Sequence, residues 1–155
     1  MKLSNNFHDY EFACRSGEPV PLELLPNLRR LVVDVLEPLR VRWGAPLIVS
    51  SGYRSPVYNE AIRLVSDERA RREGRPHGGV AKFSQHLTAS GADVHPVERA
   101  AIPRLCSLVE TMLLEGALPS LGGFGRYPGW IHVDVRPGVP GRPARWLGAG
   151  VGSEP

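Results

Sequence analysis

The chain has 155 residues, 42% of them hydrophobic and 23% charged, with a net charge of +3. That suffices for a single domain with its own core, is too short for two ordinary domains, and is too apolar for wholesale disorder. The basic excess is almost all arginine and is scattered along the chain; it suits approach to an anionic polymer without specifying one. Cys14 and Cys106 lie far apart with no CxxC cluster, which excludes a cysteine-rich zinc site and favours two buried thiols over one disulfide. No apolar run is long enough to span a membrane, and MKLSNNFHDYEF lacks the apolar stretch of a secretory signal. The expectation is a soluble monomer, made in the cytoplasm without a signal peptide.

Ser4 or Asn5 is placed to cap a short helix over Asp9 to Arg15, ended by Gly17 and Pro19. Leu24, Leu25, Leu28, Leu31, Val32, Val35, Leu36 and Leu39 then recur at intervals of three and four, the stripe of an amphipathic helix. Pro38 should kink or tighten its end, and Gly44 should stop it. Leu47 to Ser50 reads as a short buried strand leading into the turn SGYRS. Pro56 starts a helix to about Arg72, with Tyr58, Ala61, Ile62 and Val65 on one face. Residues 73 to 85 are rich in glycine and charge and read as a surface loop. Ala92 to His95 reads as a strand, and Pro103 to Leu114 as a second apolar-periodic helix. Gly122 to Arg126 and Trp130 to Arg136 are strand candidates, joined by hairpin chemistry in Tyr127-Pro128-Gly129. The Gly/Pro-rich tail 137–155 is expected to lie across the surface. Helices followed by mostly adjacent strands point to an α+β class, one domain over 1–155 with its core over about 7–136.

A catalytic zinc ion takes three nitrogen or oxygen ligands and keeps one position open for water. His86 and Asp93 are seven apart across small residues, so the chain can double back and aim both at one point. In a strand, His132 and Asp134 share one face, and so do Asp93 and His95, so two strands can present four polar groups to one cleft. A lone strand histidine or an arbitrary His-x6-Asp pair is more commonly a packed or surface feature. Arg54 is equally readable as a solvated arginine, and spacing alone does not fix zinc.

Ser84, His86 and Asp93 resemble the SxHxxGxAxD element of the zinc D-Ala-D-Ala carboxypeptidase family, His132 resembles its later histidine element, and SGYRS around Arg54 is similar to its upstream stretch. The resemblance covers roughly residues 7 to 136. It implies a small α+β domain with a central antiparallel sheet, a fold shared with Hedgehog signalling domains and lysostaphin-type peptidases. It also implies one zinc ion held by His86, Asp93 and His132, and peptidoglycan stem peptides as substrate. Ala89 and Gly91 exchange the usual glycine and alanine, and Ala89 takes up positive φ less readily than glycine. Gly129 stands where many relatives carry a catalytic carboxylate, so the base must come from elsewhere. Asp134 is the first candidate, with orientation of His132 as its alternative role; His95 is the second. Arg54 suits an oxyanion or a substrate carboxylate, while Ser84, Tyr127 and Trp130 suit substrate contact.

An endopeptidase, of the kind phages release onto the cell wall, is favoured over a D,D-carboxypeptidase. A non-catalytic zinc-containing binding module is the alternative, and a nucleic-acid-binding domain lacks the basic, aromatic-interleaved stripe it needs. The charged stretch from Asp67 to Lys82 is either a shaper of substrate access or a tolerated surface insertion.

Overall fold

The computed structural model describes residues 1–148. The amino-terminal segment makes only a 3-10 turn, Asp9–Phe12, shorter than the predicted helix. Its Phe7 and Phe12 are buried, and the Phe12 carbonyl accepts from the Tyr53 backbone N–H at 2.8 Å. The leucine-valine stripe forms one helical run: α1 (Leu25–Leu31), a π-helical turn (Val32–Leu36) and α2 (Glu37–Trp43). Pro38 has no N–H to continue the ordinary ladder, and just before it the Glu37 N–H bonds the Val32 carbonyl. The predicted tightening is thus a widened turn one step earlier. Gly44 ends the run in the left-handed conformation, φ 75°. Leu28, Leu31, Val32, Val35, Leu36 and Leu39 are all buried, and burying each such side chain is worth about 1.5–3 kcal/mol before entropy is counted.

Five strands form one sheet in the order β1-β2-β4-β3-β5: β1 (Leu47–Ser51), β2 (Gly91–Pro96), β3 (Gly123–Arg126), β4 (Ile131–Asp134) and β5 (Ala144–Leu147). The first three pairings in that order are antiparallel, and β3 with β5 is parallel. The protein is therefore α+β, with helix α4 (Ile102–Leu114) carrying Leu105, Val109 and Met112 into the core beside Val94, Phe124, Ile131 and Val133. Cys14 and Cys106 are both buried thiols with no disulfide between them.

Two expectations need correction. The segment after Pro137 does not simply lie across the surface, because residues 144–147 close the sheet as β5; residues 149–155 of the expected tail lie outside the described region. Helix α3 (Pro56–Arg72) exists as predicted, yet its apolar face is only partly buried: Tyr58 and Ile62 are half-buried and Ala61 and Val65 exposed, whereas Asn59 and Ala70 are the buried positions. The helix turns toward the loop that follows it. Asn59 Nδ2 donates to the Ala81 carbonyl at 3.1 Å, the Gly78 N–H to Asp67 Oδ1 at 2.9 Å and the Gly79 N–H to Ser66 Oγ at 2.9 Å. These bonds fix residues 73–83 as a wall along α3.

Candidate metal and substrate site

One register row crosses the whole sheet: Ser51, Asp93, His132, Gly125 and Trp146 stand opposite one another on successive strands. Opposed residues share a face, so the row aims Asp93 and His132 at the same place. His86 joins them from the 3-10 turn Gln85–Thr88, capped by Ser84, whose Oγ accepts from the His86 N–H at 3.3 Å. The turn ends at Ala89, the one described non-glycine residue with positive φ (53°), so this alanine takes up the left-handed conformation that glycine adopts more readily.

His86, Asp93 and His132 are buried, and one ligand atom from each lies within 4.8 Å of the others. Their hydrogen bonds set which atoms remain for a cation. His86 Nδ1 lies 2.6 Å from the Gly52 carbonyl and must donate to it, so Nε2 keeps its lone pair and points at Asp93 Oδ1, 3.3 Å away. Two acceptors facing each other in a buried site call for a cation between them. His132 Nε2 donates to Asp134 Oδ2 at 3.0 Å, leaving Nδ1 2.8 Å from Asp93 Oδ1. A tetrahedral ion with bonds of about 2.0–2.1 Å separates its ligands by roughly 3.4 Å; His86 Nε2 and Asp93 Oδ1 stand at 3.3 Å, and His132 Nδ1 lies nearer to the same oxygen, at 2.8 Å. The donor set, two imidazoles and one carboxylate, is that of a zinc site with an open position.

Electrostatics agree. Burial pushes the Asp93 carboxyl up, but the hydrogen bond from His132 outweighs it, and the group is held well below the usual carboxylate range. Burial lowers the pKa of His86. Burial also acts to lower that of His132, yet bonds to Asp134 and Asp93 prevail and raise it. Arg54 comes from the turn after β1: its Nη2 donates to Asp93 Oδ2 at 3.0 Å and its Nε to Ser51 Oγ at 3.1 Å, while its backbone N–H holds the His86 carbonyl at 3.0 Å. Gly52, two residues earlier, is a close-packing position, since any Cβ would collide with the Phe12 backbone. The SGYR segment therefore fixes His86 through a carbonyl and Asp93 through a guanidinium, and the Gly52 carbonyl was not legible in the sequence.

The two candidate bases fare differently from expectation. Asp134 is fully buried behind His132, with Arg136 donating to both its oxygens at 2.5–3.0 Å. Burial works against its charge, but His132 and Arg136 bring its pKa down to about 2. It does not line the cleft, and both its oxygens are taken. His95 Nδ1 bonds the Pro96 carbonyl at 2.8 Å and Nε2 accepts from Arg99 at 3.0 Å, so both nitrogens are occupied and the ring is absent from the cleft lining. Gly129 does not line the cleft either: its carbonyl accepts from Arg99, and a Cβ there would approach the same guanidinium at 3.1 Å.

A cleft of about 860 Å³ opens over the cluster. Arg54, Ser84, Tyr127 and Trp130 line it, as the sequence suggested, and so do Arg69, Glu73, Arg75 and Phe83 of the α3 wall. Arg136 and Trp146 also line it, and neither was anticipated.

The peptidase M15 family model matches residues 5–134, and the chain belongs to that family. No curated protein sequence matches it. Among solved structures it is similar to VanYB in complex with D-alanine-D-alanine, at 19% identity and a TM-score of 0.44 over 80% of this chain and 76% of that one. It is also similar to a mutant of the vancomycin-resistance D,D-pentapeptidase VanY in complex with Zn(II), at 18% identity and 0.43 over 80% and 77%.

Proposed function

We propose that the protein is a zinc-dependent peptidase that hydrolyses amide bonds of peptidoglycan stem peptides, with His86, Asp93 and His132 as the metal ligands. The observation that carries this reading is the hydrogen-bond pattern of the cluster, in which Gly52 and Asp134 each occupy the far nitrogen of one histidine and leave the near nitrogen for a cation. Membership of a peptidase family supplies the reaction class. Bound zinc would polarise the scissile carbonyl and acidify a water. The chain's own part is to hold the ligands, position the peptide and exclude bulk water.

In this reading Asp134 is a positioning residue for His132, and Arg136 keeps its carboxylate charged and fixed. Arg54 keeps Asp93 ionised and stands at the cleft edge, where its guanidinium can also meet a carbonyl or carboxylate of the peptide. The lining carboxylate not claimed by the ligand cluster is Glu73, held by Arg69 and Arg75. An endopeptidase remains the favoured type. A zinc-containing binding module is the second reading, favoured by the engagement of both Asp134 and His95.

The test is digestion of purified peptidoglycan with and without a chelator, reading released fragments by mass spectrometry. Chelator-sensitive release of peptide fragments is expected, and the fragment masses identify the bond. Bound zinc with intact peptidoglycan would establish the binding module instead.

A further inference from the structure

The family match ends at residue 134, yet the register row that carries Asp93 and His132 runs on through Gly125 to Trp146. Gly125 stands between His132 and Trp146, and a Cβ there would run into the indole. The missing side chain lets Trp146 lean across β3 until its ring centroid is 5.4 Å from that of His132, with the planes tilted by 45°. The indole is pinned there. Its Nε1–H donates to Tyr127 Oη at 3.0 Å, Arg136 lies over the ring at 5.1 Å, and Tyr127 in turn stacks on Trp130 at 4.8 Å and 12°. With the indole N–H satisfied by the phenol oxygen, the ring faces these side chains offer the cleft are carbon, held on one side of the candidate ligand cluster.

We infer that Trp146 is a specificity-determining residue: with Tyr127 and Trp130 it forms an apolar wall beside His132 that takes a small aliphatic side chain, such as the methyl of alanine, on a residue flanking the scissile amide. This rests on the peptidase reading above. An indole this close to the His132 imidazole is within one residue's reach of the reacting carbonyl, and among the phenylalanine, tyrosine and tryptophan rings lining the cleft Trp146 is the one in ring contact with His132. Strand β5 therefore completes the site from outside the matched region.

The probes are Lys-D-Ala-D-Ala and its two analogues with glycine replacing either alanine, assayed with zinc-loaded protein. Hydrolysis and calorimetric binding are both recorded. The wild type is expected to prefer alanine over glycine at one flanking position by roughly fivefold or more, about what one buried methyl supplies. Trp146→Ala should retain one zinc, raise KM for the alanine peptide and bring the alanine-to-glycine ratio close to one; Trp146→Phe should keep part of the preference. An unchanged ratio in Trp146→Ala would overturn the inference. So would a ratio lost only together with zinc, which would make the tryptophan a structural support. If the wild type cleaves none of the three, the calorimetric ratio decides, and equal affinities in wild type and Trp146→Ala refute the aromatic wall; the peptidase reading itself fails only if the peptidoglycan digestion releases no fragment.

Discussion

His132 is held between two carboxylates, its Nδ1 on Asp93 and its Nε2 on Asp134, and this geometry has a consequence for metal uptake. Its raised pKa favours protonation of both nitrogens in the metal-free protein, while burial favours a neutral His86 and hydrogen bonding a charged Asp93. A metal must therefore displace one proton, that on His132 Nδ1. Zinc added in weak buffer near pH 6, below the pKa of about 7 typical of zinc-bound water, should release close to one proton per ion. Release of two, or of none, would contradict the assigned protonation. Ala89 poses a different balance. Its left-handed backbone costs about 1–2 kcal/mol, and glycine would remove that. The same change loses a buried methyl, about 0.8 kcal/mol, and about 0.4–1 kcal/mol through a freer unfolded chain. The terms nearly cancel, so Ala89→Gly should shift stability by less than about 1 kcal/mol in denaturant unfolding, which explains how alanine stands in a glycine position. The three candidate ligands were legible because their types and spacing belong to a recognisable motif, and the structure brings them together. The role of His95 was not: alternation tells which face a side chain takes, but same-face neighbours in a strand sit roughly 7 Å apart, far enough for Arg99 to claim one while the cleft claims the other.

At the scale of elements, the stretch from Asp67 to Lys82 is a constructed wall. Asp67 accepts the Gly78 N–H with one oxygen and pairs with Arg63 through the other, at 2.7 Å. Asp67→Ala should raise amide exchange across residues 73–83 several-fold while leaving the sheet's protection unchanged; uniform loss of protection would mean that the helix and loop are part of the core. The apolar period of α3 misled because a helix can carry valines and leucines without burying them, and which face docks is settled by tertiary contacts such as Asn59 with Ala81. Strand β5 was illegible for a related reason. Four residues, Ala144 to Leu147, between glycines and prolines show little periodicity, and their parallel pairing with β3 depends on contacts across twenty residues of chain. The antiparallel β3–β4 pair, with its local turn at Tyr127 to Gly129, was visible because both partners and their connection lie in one short window.

Across the whole molecule, the sheet gathers residues from both halves of the chain into one site. Ser51 and Arg54 arrive from the first third, His86 and Asp93 from the middle, and His132, Arg136 and Trp146 from the last. The leucine-valine stripe joins Leu105, Val109 and Met112 of α4 and Val94, Phe124, Ile131 and Val133 of the sheet in one buried core. The cleft lining carries four arginines, Arg54, Arg69, Arg75 and Arg136, against Glu73 and Asp93, a positive balance that suits a peptide bearing carboxylates. All of this depends on one claim, that His86, Asp93 and His132 converge to hold a metal. The direct test is the metal content of the purified protein after exhaustive dialysis, in the wild type and in His132→Ala. The account predicts one zinc per wild-type chain and its loss, with the fold retained by circular dichroism, in the variant. One full equivalent of zinc kept by His132→Ala would contradict it.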